Sequence, residues 1–213
     1  MKTIHFYLDF ISPYAWLAFD ALPKALQGIS YRVVHKPVVL GALLKHHGQL
    51  GPAEIPAKRD WTYRQVLWQA RAQGTPLQLP ASHPFNSLAL LRLATACDPA
   101  GEPNRYVCEK IFRHVWCTGL EATDPERLQV LSADLAPQAD VASPEVKQCL
   151  KHNTDEAMAL NLFGVPSCVV DGQVFWGNDA LPMLRAFLLG DPWFASDEWT
   201  RVAALPVGIQ RKV

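Results

Sequence analysis

The 213 residues are 49% hydrophobic and 19% charged, with 20 basic residues against 20 acidic ones. Such a chain can bury a sizeable core, which excludes a disordered polymer, and its zero net charge excludes an electrostatic footprint for nucleic acid or an anionic bilayer. Lys2, His5 and Asp9 interrupt the apolar amino end and no apolar window reaches the length of a membrane span, so neither a secretory leader nor a membrane anchor is expected and a cytoplasmic protein is.

"KTIHFYLDF", residues 2–10, is rich in β-branched and aromatic residues and predicts a buried strand. A helix follows at once: Ser12 suits the N-cap, Pro13 the first helical position, and Tyr14, Leu17, Ala18, Leu22 and Leu26 an apolar face that Pro23 should kink or shorten. "ISYRVVHKPVV", residues 29–39, reads as a second strand. From about residue 40 to 163 the pattern turns helical. Helices are predicted over 60–73 with Gly74 as the stop, over 86–97, and over 104–117. Asp124-Pro125-Glu126 and Ser143-Pro144-Glu145 open two more, each with a cap, a proline and an acidic first turn. The strand pattern returns at "PSCVVDGQVFWG", residues 166–177, where Asp171-Gly172 marks a hairpin, and Asn178-Asp179 caps a last helix over 180–189. That order predicts an α/β thioredoxin-like sheet. Residues 1–40 and 164–213 would form the discontinuous β-α-β and β-β-α halves, and 41–163 an all-helical insertion.

Cys97, Cys108, Cys117, Cys149 and Cys168 are odd in number and none forms a C-x-x-C pair, so they read as free, buried thiols. The seven histidines lack metal-ligand spacing, and no metal is expected. In the predicted sheet, however, the turn after the first strand aims Ser12 at the amino end of a helix, where unpaired N–H groups and the dipole stabilise an anion. A serine there cannot exchange disulfides, but it can donate a hydrogen bond to a thiolate that a ligand brings. Glutathione would supply that sulfur. Val165-Pro166 ahead of the third strand suggests a cis peptide whose neighbouring backbone groups stay free for a peptide-like ligand. Each feature also has a plain structural use, Ser12 as a cap and Pro166 as an edge residue.

The segments "FYLDFISPYAWLA", "KPVVLGALL", "HPFNSLALLRLA", "YVCEKIFRHVWCTGLEATDPERL" and "HNTDEAMALNLFGVPSCVVDGQVFWGNDALPMLRAFL" together resemble the 2-hydroxychromene-2-carboxylate isomerase family, bacterial relatives of the kappa-class glutathione transferases, from about residue 3 to 190. The resemblance implies a DsbA-like thioredoxin fold with glutathione as cofactor. It also implies that Ser12 holds the sulfur, that Val165 beside Pro166 pairs with the cysteinyl backbone, and that Trp176, Gly177, Asn178 and Asp179 cradle the γ-glutamyl end. The helix amino end would meet the γ-glutamyl carboxylate and Asp179 its ammonium. The family's isomerases resemble one another in a polar Asn-Arg pair and a tyrosine around the second substrate; here Gln49-Leu50-Gly51-Pro52 and His83-Pro84-Phe85 stand instead. Lys45, Lys58 and His83 are the substrate-site candidates left, with Arg59 also available.

The expected function is glutathione-dependent cis/trans isomerisation of an aromatic or unsaturated 2-oxo acid by a homodimer, with the loop departures pointing to a natural substrate other than 2-hydroxychromene-2-carboxylate. A kappa-like transferase is the rival enzyme, and a non-catalytic binding or chaperone-like module the rival of another class. Retention on immobilised glutathione separates either enzyme from the module. The apolar tail "DPWFASDEW" could cover the core or serve an interface.

Overall fold

The structure is a computed structural model and describes residues 1–209. β1 (Lys2–Leu8) runs parallel to β2 (Tyr31–Pro37), in register from Lys2 opposite Tyr31 to Leu8 opposite Pro37. α1 (Pro13–Ala25) makes the crossover. β3 (Ser167–Val170) then enters antiparallel beside β1, with Cys168 opposite Phe6, and β4 (Gln173–Trp176) closes the hairpin. The sheet order β2-β1-β3-β4 is the expected thioredoxin-like frame.

Six helices lie between the two halves of the sheet: α2 (Leu40–His46), α3 (Pro56–Gln73), α4 (Leu88–Ala96), α5 (Arg105–Trp116), α6 (Pro125–Leu135) and α7 (Pro144–Ala159). α8 (Leu181–Leu188) and the short α9 (Asp197–Arg201) follow the hairpin. The first two strands are shorter than read, 2–8 rather than 2–10 and 31–37 rather than 29–39, and two helix starts shift by two residues or more. α3 opens at Pro56 rather than at Asp60, because proline at the first helical position needs no N–H partner. α4 opens at Leu88 rather than at Asn86, because the Asn86 side chain accepts the Leu88 N–H at 3.0 Å and holds the preceding residues in a turn. Pro23 sits within the last turn of α1, which ends at Ala25.

The alternation of β1 sends Ile4, Phe6 and Leu8 into one cluster with Trp16, Phe19 and Leu22 of α1 and Ile111, Phe112 and Trp116 of α5. Tyr7 faces the other way, with Val38, Leu43, Ala157 and Leu162. Of the carboxyl-terminal segment, Phe194 packs on Phe175 and Phe187 at the edge of the core, with ring centroids 6.0 and 5.2 Å away, while Trp193, Val202 and Leu205 are exposed. No helix among the described residues is long and apolar enough to cross a membrane. The consequence for function lies at one end of the sheet, where the β1–α1 turn and the segment entering β3 come together.

Candidate active site

Ser12 caps α1, its Oγ accepting the Ala15 N–H at 3.2 Å, while its hydroxyl donates to the Val165 carbonyl at 3.3 Å across the gap to the β3 entrance. It is buried. Pro13 has no N–H, the Tyr14 N–H has no acceptor among the described residues, and no acidic side chain occupies the first turn. The first turn of α1 thus offers an open N–H and no acid of its own next to a hydroxyl, a setting that favours a bound anion. Across from it the Val165–Pro166 peptide is cis, as its sequence suggested. The Pro166 carbonyl is taken by the Gly177 N–H at 2.9 Å, whereas the Val165 N–H has no acceptor among the described residues. Val165 thus presents one N–H, and one carbonyl held only by a long serine contact, to whatever lies against Ser12.

Asp9 fixes this turn from below. Its backbone carbonyl accepts the Ser12 N–H at 3.0 Å, and its carboxylate accepts the Ile11 N–H at 3.2 Å and the Leu40 N–H at 2.9 Å. One fully buried carboxylate so ties the β1–α1 turn to the start of α2. Burial pushes its pKa up to about 6 against the lowering effect of those N–H groups and of the Ser87 hydroxyl.

Gly177, at φ +99°, bends the chain so that the Asp179 carboxylate folds over it, where a Cβ would collide. Asn178 is buried; its Nδ2 reaches Gln69 of α3 at 3.4 Å, and its Oδ1 is a buried acceptor without a donor. Tyr14 donates to Gln65 of α3 at 2.8 Å, and burial, then the Asp179 charge, raise the Tyr14 pKa. Asp179 itself is exposed. Trp176 is half-exposed over Phe163, 4.9 Å between rings, and its Nε1 lies 2.8 Å from where a Cβ on Gly164 would stand, so a side chain there would displace the indole. Ser12, Val165, Pro166 and the 176–179 segment consequently share one surface, walled by α3.

The three candidates for a second substrate separate. His83 lies against the Ser12 turn, with both ring nitrogens engaged, Nε2 with the Ile11 carbonyl at 2.8 Å and Nδ1 with the Tyr63 hydroxyl at 2.7 Å. Lys58 is exposed on the first turn of α3, one residue before Arg59, whose Nη2 donates to the His83 carbonyl at 3.0 Å. Lys45 is exposed in the last turn of α2. A cavity of about 400 Å³ between β2 and the Glu102–Arg105 segment shares none of these residues.

All five cysteines are free, but only Cys108 and Cys168 are buried as expected; Cys97, Cys117 and Cys149 are partly exposed, and burial raises the pKa of all five, that of Cys168 to about 12. Among the described residues no cluster of His, Cys, Asp and Glu is arranged to hold a metal ion. Insulin reduction and scrambled-ribonuclease assays are therefore expected to be blank, since a thiol whose pKa is raised is protonated at neutral pH and a poor nucleophile and no C-x-x-C pair is present; robust disulfide exchange by the purified protein would reject this.

Sequence reasoning did not find Asp9, Tyr63, Gln65 and Gln69 as site residues. The α3 residues carry no local signal, because they reach the site only through the packing of α3 against α1. Asp9 did carry one, a lone carboxylate inside an otherwise apolar strand end.

Residues 3–189 match the family model described as a DSBA-like thioredoxin domain. A 2-hydroxychromene-2-carboxylate isomerase of Sphingobium xenophagum is 28% identical over 196 residues, covering 88% of this chain and 98% of that one. Glutathione S-transferase kappa 1 of Homo sapiens is 25% identical over 210 residues, covering 90% and 92%. Among solved structures, one of a 2-hydroxychromene-2-carboxylate isomerase superposes with a TM-score of 0.75 at 23% identity, over 95% of this chain and 98% of that one, which bears on the fold.

Proposed function

We propose that this chain, which belongs to the DSBA-like thioredoxin domain family, is an enzyme that binds glutathione with its sulfur at Ser12 and uses it to isomerise an aromatic or unsaturated 2-oxo acid. The observation that carries this reading is the Ser12 hydroxyl, set at the amino end of α1 and in contact with the carbonyl of Val165, a residue whose own N–H has no acceptor among the described residues. Similarity along nearly the whole chain to enzymes named as isomerases and as kappa glutathione transferases supports it.

On binding, the cysteinyl N–H would take the Val165 carbonyl and the cysteinyl C=O the Val165 N–H, as one added strand residue. The Ser12 hydroxyl is then released from its 3.3 Å contact and can turn to the sulfur. A free thiol has a pKa of roughly 8.5, and each unit of lowering corresponds to about 1.4 kcal/mol of preference for the thiolate. The thiolate adds to the conjugated carbon of the substrate: an S–C bond forms, the C=C bond becomes single, and the displaced pair rests on the 2-oxo oxygen. Rotation follows. The pair then returns, the S–C bond breaks, and glutathione leaves unchanged, so it acts as a nucleophilic catalyst.

The γ-glutamyl end would lie on Asn178 and Asp179. The Asn178 Oδ1, buried without a donor, suits an incoming N–H, and the exposed Asp179 suits the ammonium. Asp179→Ala is expected to raise the glutathione Kd by one to two orders of magnitude, about 1.5–3 kcal/mol, measured by calorimetry. An unchanged Kd with a lowered Tm would mean that Asp179 only shapes the turn. The similarity to kappa transferases keeps a second reading, in which glutathione stays attached to its electrophile. Turnover of 2-hydroxychromene-2-carboxylate with and without glutathione, with free glutathione counted before and after, decides between them: undiminished glutathione supports the isomerase, consumption the transferase.

A further inference from the structure

Beside the sulfur site, the loop ahead of α4 and the first turns of α3 meet in a hydrogen-bonded chain that ends on the Ser12 turn. The Ile11 carbonyl can only accept, so its 2.8 Å contact places the His83 proton on Nε2. Nδ1 of the neutral ring is then an acceptor, and the Tyr63 hydroxyl 2.7 Å away is its donor. Burial lowers the His83 pKa, and the Arg59 charge adds to that lowering while the Ile11 bond opposes it. The ring is packed against Trp116 and Phe85, with centroids 5.4 and 5.9 Å away, so it cannot turn to meet a ligand. Half-buried Tyr63 has its proton committed inward, which leaves its oxygen lone pairs as the acceptor that an incoming molecule would meet. Arg59 lies over the same tyrosine, 5.7 Å from the ring centroid; one of its N–H groups is spent on the His83 carbonyl, and the others have no partner among the described residues.

We propose that Tyr63, backed by His83, is the acid–base hydroxyl of the second-substrate site, and that Arg59 binds the carboxylate of a small acid carrying a hydroxyl on the same carbon, as the cyclic hemiketal of an aromatic 2-oxo acid does. This rests on the glutathione reading and names the group that would open such a ring before the thiolate acts. The hemiketal O–H proton passes to the Tyr63 oxygen as the Tyr63 proton passes to His83 Nδ1. The electron pair left on the substrate oxygen forms the C=O bond and expels the ring oxygen as a phenolate. The phenolate then recovers the proton by the same path, so no proton is gained or lost. His83 keeps its bond to Ile11 throughout and is a positioning and proton-holding residue, while Tyr63 touches the substrate.

Tyr63→Phe and Arg59→Gln test this, with 2-hydroxychromene-2-carboxylate and its methyl ester as probes and the glutathione Kd measured in parallel by calorimetry. Tyr63→Phe is expected to lower kcat about a hundredfold, the usual size of a lost acid–base group, with KM changed by less than about threefold. Arg59→Gln is expected to raise KM for the acid about tenfold or more and to leave that for the ester alone. Glutathione affinity should hold in both variants. Full turnover by Tyr63→Phe, equal loss toward acid and ester in Arg59→Gln, or a wild-type protein that binds glutathione yet does not process the acid would each overturn the proposal. A wild-type protein that does not bind glutathione would instead overturn the reading on which it rests.

Discussion

Ser12→Ala is expected to cut glutathione-dependent turnover of 2-hydroxychromene-2-carboxylate by roughly ten- to a thousandfold, the range for losing one well-placed donor to a developing or resident anion. Glutathione affinity should fall far less, because Val165 and the 176–179 segment remain. The change also removes one of the two acceptors of the Ala15 N–H, the Ser12 carbonyl at 3.1 Å remaining, so the variant should lose at most about 1 kcal/mol of N-cap stability and still fold. A stability loss alone would scale all activities equally. Loss of the hydroxyl should additionally move the turnover profile to higher pH, since the thiol must then ionise with only the helix end to help it. Wild-type turnover across that pH range in Ser12→Ala would remove Ser12 from the mechanism.

Asp9→Asn is expected to lower turnover about tenfold or more, because a 1 Å loosening of a positioned group commonly costs that much. The asparagine keeps the shape of the side chain but sets an NH2 group against one of the two N–H donors, Ile11 or Leu40, that the carboxylate now accepts. The wild-type pH dependence carries a matching signature. The Asp9 pKa is raised from 3.8 to about 6 on folding, so between those values the native state binds more protons than the unfolded one, and stability falls as pH rises through that window. At neutral pH the buried charge thus costs about 3 kcal/mol, using about 1.4 kcal/mol per unit. Turnover runs the opposite way, since protonation below about pH 6 replaces an acceptor by a donor under the Ser12 turn. Asp9→Asn should therefore lose both the fall in stability across that window and the acid limb in kcat. Chemical denaturation and kcat measured at matched pH values check the pair of effects, and a variant that keeps both would show that Asp9 does not hold the turn.

The frame was legible because its signals are local. The apolar run at 2–10, the Ser12-Pro13 junction and Asp171-Gly172 each specify an element within a few residues, and the order of those elements leaves few topologies. That Ser12 and Val165 serve one ligand was implied by the family resemblance alone, and it is the sheet order, with β3 beside β1, that brings the two segments together. What α3 contributes was not legible. Gln65 and Gln69 face Tyr14 and Asn178 only because an 18-residue helix with no clear apolar stripe lies across α1, and the boundary shift at Pro56 places Arg59 and Tyr63 on its opening turns. His83 shows the same limit. It reads in sequence as a ligand-facing residue, and the fold closes both of its nitrogens with Ile11 and Tyr63, partners separated from it by 72 and 20 positions.

Titration of the thiolate absorbance of glutathione bound to the wild-type protein tests the central claim most directly. A thiol hydrogen-bonded by Ser12 at the amino end of α1 should ionise at least about one pH unit below the roughly 8.5 of the free thiol, and Ser12→Ala should return most of that shift. Bound glutathione that ionises like the free thiol, in both proteins, would contradict the account.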